Sequence, residues 1–279
     1  MSPAPALGGK VVLVTGGSRG IGRAIALAAA RAGAHVALAA KTAAPHPKLP
    51  GTIHTVAEEV RALGVRALPL QVDVREEFQV ADALAAIDRE FGRLDALVNN
   101  AGAISLAGVE RTPVKRFDLM HEVNARALFV CAKAALPLLR RAGGGHVISL
   151  SPPLNLSPKW LAAHAPYTLS KYGMTLLALG MAGEFAPEGI SVTTLWPRTT
   201  IATAAIEFAV SAQLLPRCRT VDIMADAALA ILTTTDGSLN GRCLVDEDFL
   251  RERGAGDFRR YAVDPAHADD PYPDLFIDA

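Results

Sequence analysis

Six short apolar runs recur along the chain and are separated by stretches with helical spacing of apolar residues. The first run is followed by a glycine-rich turn, an alanine-rich helical segment and then the second run. Runs that are rich in β-branched residues and lack polar alternation are typical of strands buried on both faces. The pattern predicts a doubly wound parallel sheet in a three-layer α/β fold. The runs occupy residues 11–15, 35–40, 65–73, 95–102, 145–151 and 190–197.

The chain reads as one domain over residues 1–279, because no linker, repeat or low-complexity segment divides it. Residues 42–52 hold three prolines and are predicted to form a loop. Residues 264–279 are rich in aspartate and proline and should form an irregular C-terminal extension. This extension is expected to dock through Leu275, Phe276 and Ile277.

The amino-acid composition disfavours some classes of binding partner. Lysine plus arginine equals aspartate plus glutamate at 28 each, so no net field favours nucleic acid or an anionic membrane. The spacing of Cys131, Cys218 and Cys243 fits buried thiols in a reducing compartment. No apolar segment is typical of a signal peptide or a membrane span. We expect a soluble cytoplasmic protein without stable membrane insertion that acts on a small molecule.

The sequence TGGSRGIG at 15–22 lies between the first strand and the first helix. Glycines there permit a tight turn, and N–H groups at a helix start face a pyrophosphate. Lys41 ends the second strand, where an acidic residue would favour NAD. With Arg19, this cation suits the 2′-phosphate of NADP, so NADPH should bind better than NADH; the alternative is a lysine merely solvated at a strand end. The loop residues expected to bind cofactor are Gly16, Ser18, Arg19, Gly20, Ile21 and Gly22.

Tyr167 and Lys171 lie four residues apart in YTLSK, on one face of a predicted helix. Tyrosine titrates near 10, and an adjacent ammonium group would lower the pKa of the phenol. The pair could therefore exchange a proton with a substrate oxygen.

These features together resemble the short-chain dehydrogenase/reductase family, which has a single-domain Rossmann-type fold. TGGSRGIG matches the family's TGxxxGxG, and NNAG, HEVNA and YTLSK match three further motifs in the expected order. Segments over nearly the whole length, among them SPPLNLSPKW, also resemble the hydroxysteroid dehydrogenase-like branch of the family. The resemblance adds these expected cofactor-binding residues: Asp73, Val74, Asn99, Ala101, Gly102, Tyr167, Lys171, Pro197 and Thr200.

The resemblance implies a role for each catalytic residue. Tyr167 is the general acid/base, and Lys171 contacts the phenol and the nicotinamide ribose. Asn124, from HEVNA, holds a water that connects Lys171 to solvent. No metal is expected, since the seven histidines form no HxxxH pattern.

Two positions depart from the family pattern. The serine that usually orients the substrate oxygen is replaced by Pro152 if counted from the strand, or by Leu154 if counted from Tyr167. Ser151, Asn155 and Ser157 are the candidates to replace it. After the sixth strand, WPRTTIAT has Arg198 in place of glycine, and Thr199, Thr200 and Thr203 compete for the nicotinamide amide. Arg198 would meet an acidic substrate group or simply be solvated in a loop.

The sequence thus favours an NADP-dependent oxidoreductase that interconverts an alcohol and a ketone or aldehyde. The mostly apolar residues 199–218 suggest a hydrophobic lipid-, sterol- or terpenoid-like substrate. The alternative is a cofactor-binding sensor or scaffold with little turnover, because the usual serine is absent. The resemblance also implies a homodimer or homotetramer.

Overall fold

A computed structural model describes residues 6–46 and 49–278. One sheet of seven parallel strands runs through it, in the spatial order β3-β2-β1-β4-β5-β6-β7. The chain order reverses beside β1, which pairs with both β2 and β4. At such a reversal a crevice opens outside the carboxyl ends of the strands. The strands are β1 (Val11–Thr15), β2 (His35–Ala40), β3 (Ala67–Gln71), β4 (Ala96–Asn99), β5 (Gly145–Ser149), β6 (Ile190–Trp196) and β7 (Cys243–Val245).

Helices cover both faces of the sheet. Side chains of α1, α2, α8 and α9 share one apolar cluster, and side chains of α3, α5 and α7 share the other. The helices are α1 (Gly20–Arg31), α2 (Ile53–Ala62), α3 (Glu77–Phe91), α4 (Val114–His121), α5 (Ala127–Arg141), α6 (Pro158–Ala162), α7 (Ala165–Phe185), α8 (Asp222–Leu232) and α9 (Asp246–Glu252).

The side chains of β1 show why helices must cover both faces of the sheet. Successive side chains of a strand point to opposite faces. Val12 and Val14 therefore enter the first cluster, while Val11 and Leu13 enter the second. All five residues of β1 are buried. The predicted Rossmann-type, three-layer α/β sheet is confirmed.

The six predicted strands are present, the first two with the predicted bounds and the other four somewhat shorter, but β7 was not predicted. It has only three residues, pairs with Thr194–Trp196 and leads directly into α9. The described part of residues 42–52 contains no helix, in line with its prolines. Helix α2 begins at Ile53, after a capping box formed by Thr52 and Thr55.

The C-terminal segment from 264 to 278 is irregular apart from one short 3₁₀ turn, Pro265–His267. Phe276 is 1% exposed and packs among Tyr167, Tyr172 and Trp196. Its φ of 71° lies in the left-handed region, which non-glycine residues rarely adopt. The packing of Phe276 therefore holds the C-terminal segment against Tyr167, Tyr172 and Trp196.

Among the described residues, no helix combines the length and apolar character needed to cross a lipid bilayer. Within the same residues, no three His, Cys, Asp or Glu side chains are grouped as a metal site requires.

Candidate active site

A cavity of about 780 Å³ lies at the carboxyl ends of the strands, where the strand order reverses. Most residues predicted to bind cofactor line its wall, whereas Gly22 and Asn99 lie outside it, as does Asn124, which was predicted to be catalytic. The predicted residues on the wall are Gly16, Ser18, Arg19, Gly20, Ile21, Lys41, Asp73, Val74, Ala101, Gly102, Tyr167, Lys171, Pro197 and Thr200.

The glycine turn depends on close packing against Asn100. The Asn100 side chain donates to the backbone carbonyls of Thr15 (2.9 Å) and Gly16 (3.2 Å). A Cβ on Gly16 would lie 2.7 Å from Asn100 Nδ2, and one on Gly22 would lie 2.4 Å from it. Gly22 thus permits this packing from outside the cavity wall, and its role as a cofactor contact stays a prediction.

Helix α1 begins at the cavity without a side-chain cap, because its N-cap residue Arg19 makes no capping hydrogen bond. The first N–H groups of a helix have no intrahelical partner and favour an anion. A glycine cradle at this point leaves room for backbone to approach a pyrophosphate. These residues fit a dinucleotide cofactor.

Two cations stand at the adenosine end of the cavity. Lys41 is 64% exposed and lies 3.4 Å from Asp73, while Arg19 donates to the carbonyls of Pro50 and Gly51. Hydrogen bonds from Arg75 lower the pKa of Asp73 to about 2, so this carboxylate is ionised at neutral pH. The ammonium of Lys41 therefore sits beside a fixed negative charge and remains accessible from the cavity.

Helix α7 places Tyr167 and Lys171 on the cavity wall, as their spacing predicts. Their exposed fractions are 5% and 6%. Lys171 donates to the carbonyl of Leu150 at the end of β5, and its Nζ lies 4.9 Å from the ring centroid of Trp196. Within the described residues, the Tyr167 hydroxyl has no protein hydrogen-bond partner, so it is available to a ligand.

Burial shifts both pKa values of this pair. It lowers the pKa of Lys171 to about 7 and raises the pKa of Tyr167 above its usual value. The charge of Asp274 raises the pKa of Tyr167 further and partly opposes the lowering of the pKa of Lys171. Desolvation of the phenolate therefore works against acidification of the phenol by the Lys171 ammonium.

Asn124 lies in a π-helical turn, Glu122–Arg126, between α4 and α5. Its side chain accepts a hydrogen bond from Ala103 N (2.9 Å) and donates to Ala103 O (3.0 Å) and Ser170 Oγ (2.9 Å). Asn124 therefore ties the loop after β4 to α7, and a relay through its side chain would compete with these bonds. The turn also frees backbone groups that a regular helix would use.

The three candidates for the missing serine all lie off the cavity wall. Ser151 is fully buried against Ser149. Asn155 donates to Phe276 O and to Asp278, and accepts from Ser157 N. Sequence reasoning named these groups by proximity along the chain, but none of them faces the cavity next to Tyr167.

The structure distinguishes the three threonines that follow β6. Thr200 and Thr203 line the cavity and Thr199 does not. Arg198 forms an ion pair with Asp248 at the start of α9 and lies off the cavity wall. It is therefore engaged by the protein itself, which disfavours a role in binding an acidic substrate.

Sequence reasoning missed one functional candidate, Asp274. The segment 272–275 lines the cavity from the side of the tail. The apolar residues of the tail predicted that it would dock, but nothing in the sequence showed that docking would place Asp274 on the wall of the same cavity as Tyr167 and Lys171.

Comparison with known proteins agrees with this geometry. The family model for short chain dehydrogenases matches residues 10–212, well over half of the chain. The chain therefore belongs to the short-chain dehydrogenase family, whose members are oxidoreductases.

The particular likeness is to hydroxysteroid dehydrogenase-like protein 2. The chain is 49% identical to that protein of Bos taurus over 272 residues, which are 98% of this chain and 64% of the relative. It thus spans slightly less than two thirds of the relative's length. A crystal structure from Xanthomonas campestris is 52% identical, with a TM-score of 0.92 over 98% of this chain and 99% of that one. A short chain dehydrogenase from Mycobacterium thermoresistibile is 44% identical, with a TM-score of 0.91 over 98% and 96%.

Proposed function

We propose that the chain interconverts an alcohol and a ketone or aldehyde with NADP, preferring NADPH to NADH, on a hydrophobic substrate. One observation carries the proposal: buried Tyr167 and Lys171 share a cavity with the uncapped start of α1. A proton-transfer pair beside an anion-binding helix start is the arrangement that hydride chemistry on a carbonyl needs.

The cofactor supplies a hydride, and the protein supplies the proton and the positions. Tyr167 donates its hydroxyl proton to the substrate oxygen in reduction and takes one in oxidation. Lys171, anchored by Leu150 and Trp196, provides positive charge next to the resulting phenolate. Because its pKa is about 7, Lys171 can itself release or accept the proton near neutral pH. The hydrogen bonds of Asn124 hold α7 and the loop after β4 in fixed relative positions for this proton transfer.

The preference for NADPH rests on Lys41 and Arg19. Both line the adenosine end of the cavity, where a 2′-phosphate would accept charge-assisted hydrogen bonds. The partner of Lys41, Asp73, also holds Arg75, so Lys41 can turn to a phosphate without leaving that carboxylate unpaired.

A hydrophobic substrate is supported by the cavity wall beyond Tyr167. Apolar residues from the loop after β4, from α4 and from residues 201–214 line this space. A lipid-, sterol- or terpenoid-like carbonyl would bury its apolar body there. These wall residues are Ile104, Leu106, Leu119, Ile206, Phe208, Val210 and Leu214.

A second function, a cofactor-binding sensor or scaffold with little turnover, is favoured by one finding. The pKa of Tyr167 is raised in the protein without cofactor, and none of the three predicted replacements for the serine reaches the cavity. Steady-state reduction of a panel of aldehydes and ketones by the wild type and Tyr167→Phe separates the two. NADPH binding without turnover of any carbonyl, and with no effect of the substitution, supports the scaffold.

We further propose that the protein forms a homodimer or homotetramer through α5 and α7. Phe129 on α5 and Leu169 and Leu176 on α7 are at least half exposed. A patch of this kind on helices that flank the active site is typical of a contact between subunits.

A further inference from the structure

The tail forms part of the active-site wall through the segment 272–275. Backbone and side-chain hydrogen bonds fasten this segment to the loop after β6, and Phe276 stacks on Tyr167 directly behind it, with ring centroids 6.3 Å apart. The fastening bonds run from Thr200 N to Tyr272 O (2.9 Å), from Asp274 N to Arg198 O (3.0 Å) and from Trp196 Nε1 to Leu275 O (2.9 Å).

Fastened in this way, Asp274 presents a carboxyl group to the cavity. One of its oxygens accepts a hydrogen bond from Leu275 N (2.7 Å), and the other has no partner within residues 6–46 and 49–278. No ion pair of the described residues includes Asp274, although its charge acts on Tyr167 and Lys171. Asp274 therefore lines the same cavity as Tyr167 and Lys171, and one of its oxygens is not used by the described part of the protein.

None of the residues predicted to replace the missing serine reaches this cavity. Ser151, Asn155 and Ser157 lie off the cavity wall, and Pro152 and Leu154 carry no donor. A carbonyl oxygen next to Tyr167 needs a second donor to fix its direction, since one hydrogen bond leaves it free to pivot. A protonated carboxyl group is such a donor.

We propose that Asp274 is the substrate-orienting residue of this site, and that its protonated carboxyl group donates a hydrogen bond to the carbonyl oxygen of the substrate. This inference rests on the proposed reductase reaction. In that reaction the carbonyl carbon receives a hydride and the oxygen receives the hydroxyl proton of Tyr167, so a ketone becomes a secondary alcohol. The proton of Asp274 stays on Asp274 and is not transferred.

The surroundings of Asp274 favour its protonated form. Burial, with a smaller contribution from the Asp246 carboxyl, raises the pKa of Asp274 to about 7, against the opposing effects of the hydrogen bond from Leu275 N and of the Lys171 ammonium. Tyr167 and Cys218 are the other titratable groups that its charge affects. Because the folded pKa lies near 7, the donor is present below pH 7 and is lost as the pH rises through that value.

Two substitutions test the donor, with a control in the same tail. Asp274→Asn keeps an N–H donor that does not titrate, and Asp274→Ala removes the donor. Asp269→Asn changes an exposed carboxylate paired with Arg259, outside the cavity. The assays are reduction of decanal and 2-decanone by the full chain with NADPH between pH 6 and 9, and NADPH affinity by fluorescence titration.

We expect Asp274→Ala to lower kcat/KM about 10- to 100-fold without weakening NADPH binding, as expected for loss of one buried hydrogen bond to substrate. Asp274→Asn should retain most activity at pH 6 and should not lose activity through pH 7 as the wild type does. Asp269→Asn should match the wild type. A normal kcat/KM in Asp274→Ala, or a wild-type pH profile in Asp274→Asn, would overturn the inference.

If the wild type reduces neither carbonyl, the proposed function fails, and infrared difference spectroscopy then decides the role of Asp274. In the NADP⁺ complex at pH 6, a protonated carboxyl band absent from Asp274→Asn but present in Asp269→Asn should shift to lower frequency when 2-decanone is added. Absence of that band, or no shift on adding the ketone, contradicts the inference.

Discussion

Gly22 on α1 lies so close to Asn100 after β4 that a Cβ there would approach Asn100 Nδ2 to 2.4 Å and Gly16 O to 2.5 Å. Asn100 in turn holds the carbonyls of Thr15 and Gly16 at the phosphate turn. The shape of the phosphate turn therefore depends on Gly22, although Gly22 does not itself line the cavity.

Gly22→Ala should consequently destabilise the fold by about 1–3 kcal/mol, a range usual for overpacking, and should weaken NADPH binding. Urea denaturation and fluorescence titration measure the two effects. Gly256→Ala is the control, because a Cβ at Gly256 would have no atom within 4 Å. If Gly22→Ala and Gly256→Ala had the same stability and the same NADPH affinity, the predicted effect of close packing at Gly22 would be contradicted.

Lys41→Ala should weaken NADPH binding roughly 5- to 30-fold and leave NADH binding within about twofold, since only NADPH carries the 2′-phosphate that a charge-assisted hydrogen bond would reach. Added salt should narrow the difference, because Lys41 is largely exposed. Titration of both cofactors measures it, with Lys115→Ala, on the exposed side of α4, as the control. Equal wild-type affinity for the two cofactors would contradict the proposed preference.

Asp246 predicts a pH dependence of stability. Its Oδ1 accepts from Arg198 N and Glu247 N, its Oδ2 is buried without a partner, and burial raises its pKa to about 7. Between about pH 4 and 7 the unfolded chain is ionised here and the folded chain is not, so this group makes stability fall as the pH rises over that window.

Asp246→Asn should therefore flatten the fall in unfolding free energy between pH 4 and 7, by up to about 4 kcal/mol. Denaturation at a series of pH values measures the slope. Asp269→Asn, at an exposed site, should keep the wild-type slope. The same slope in Asp246→Asn and the wild type would contradict a raised pKa at this carboxyl.

Self-association should depend on the exposed apolar face of α7. Leu176→Glu should shift the protein toward monomer, because a charge would be buried at the contact. Phe78→Glu, an equally exposed apolar site on α3, should leave the assembly unchanged. Sedimentation velocity measures both variants. A wild-type protein that is monomeric at micromolar concentration would contradict the proposed contact.

The sequence predicted the sheet because each of β1 to β6 is an apolar run flanked by helical periodicity, and this signal is local. It missed β7, since Cys243–Val245 is too short for a pattern and is defined by pairing with β6. The cytoplasmic location also stays a prediction, because no local sequence pattern decides it.

The site was predictable to the extent that spacing decides geometry. The i and i+4 positions of Tyr167 and Lys171 place both on the cavity wall. Their pKa values were not predictable, because desolvation depends on the neighbours that α7 meets after folding. Asp274 was missed for a related reason: it lines the same cavity as Tyr167 only in the folded protein, where the tail docks with Phe276 against the Tyr167 ring.

The central claim is that Tyr167 transfers the proton in a carbonyl reduction. The direct measurement is single-turnover oxidation of bound NADPH by decanal, comparing the wild type with Tyr167→Phe. We expect Tyr167→Phe to bind NADPH within about twofold of the wild type and to react at least about 100-fold more slowly, the usual size of a lost general acid. An equally fast turnover in Tyr167→Phe would contradict the account.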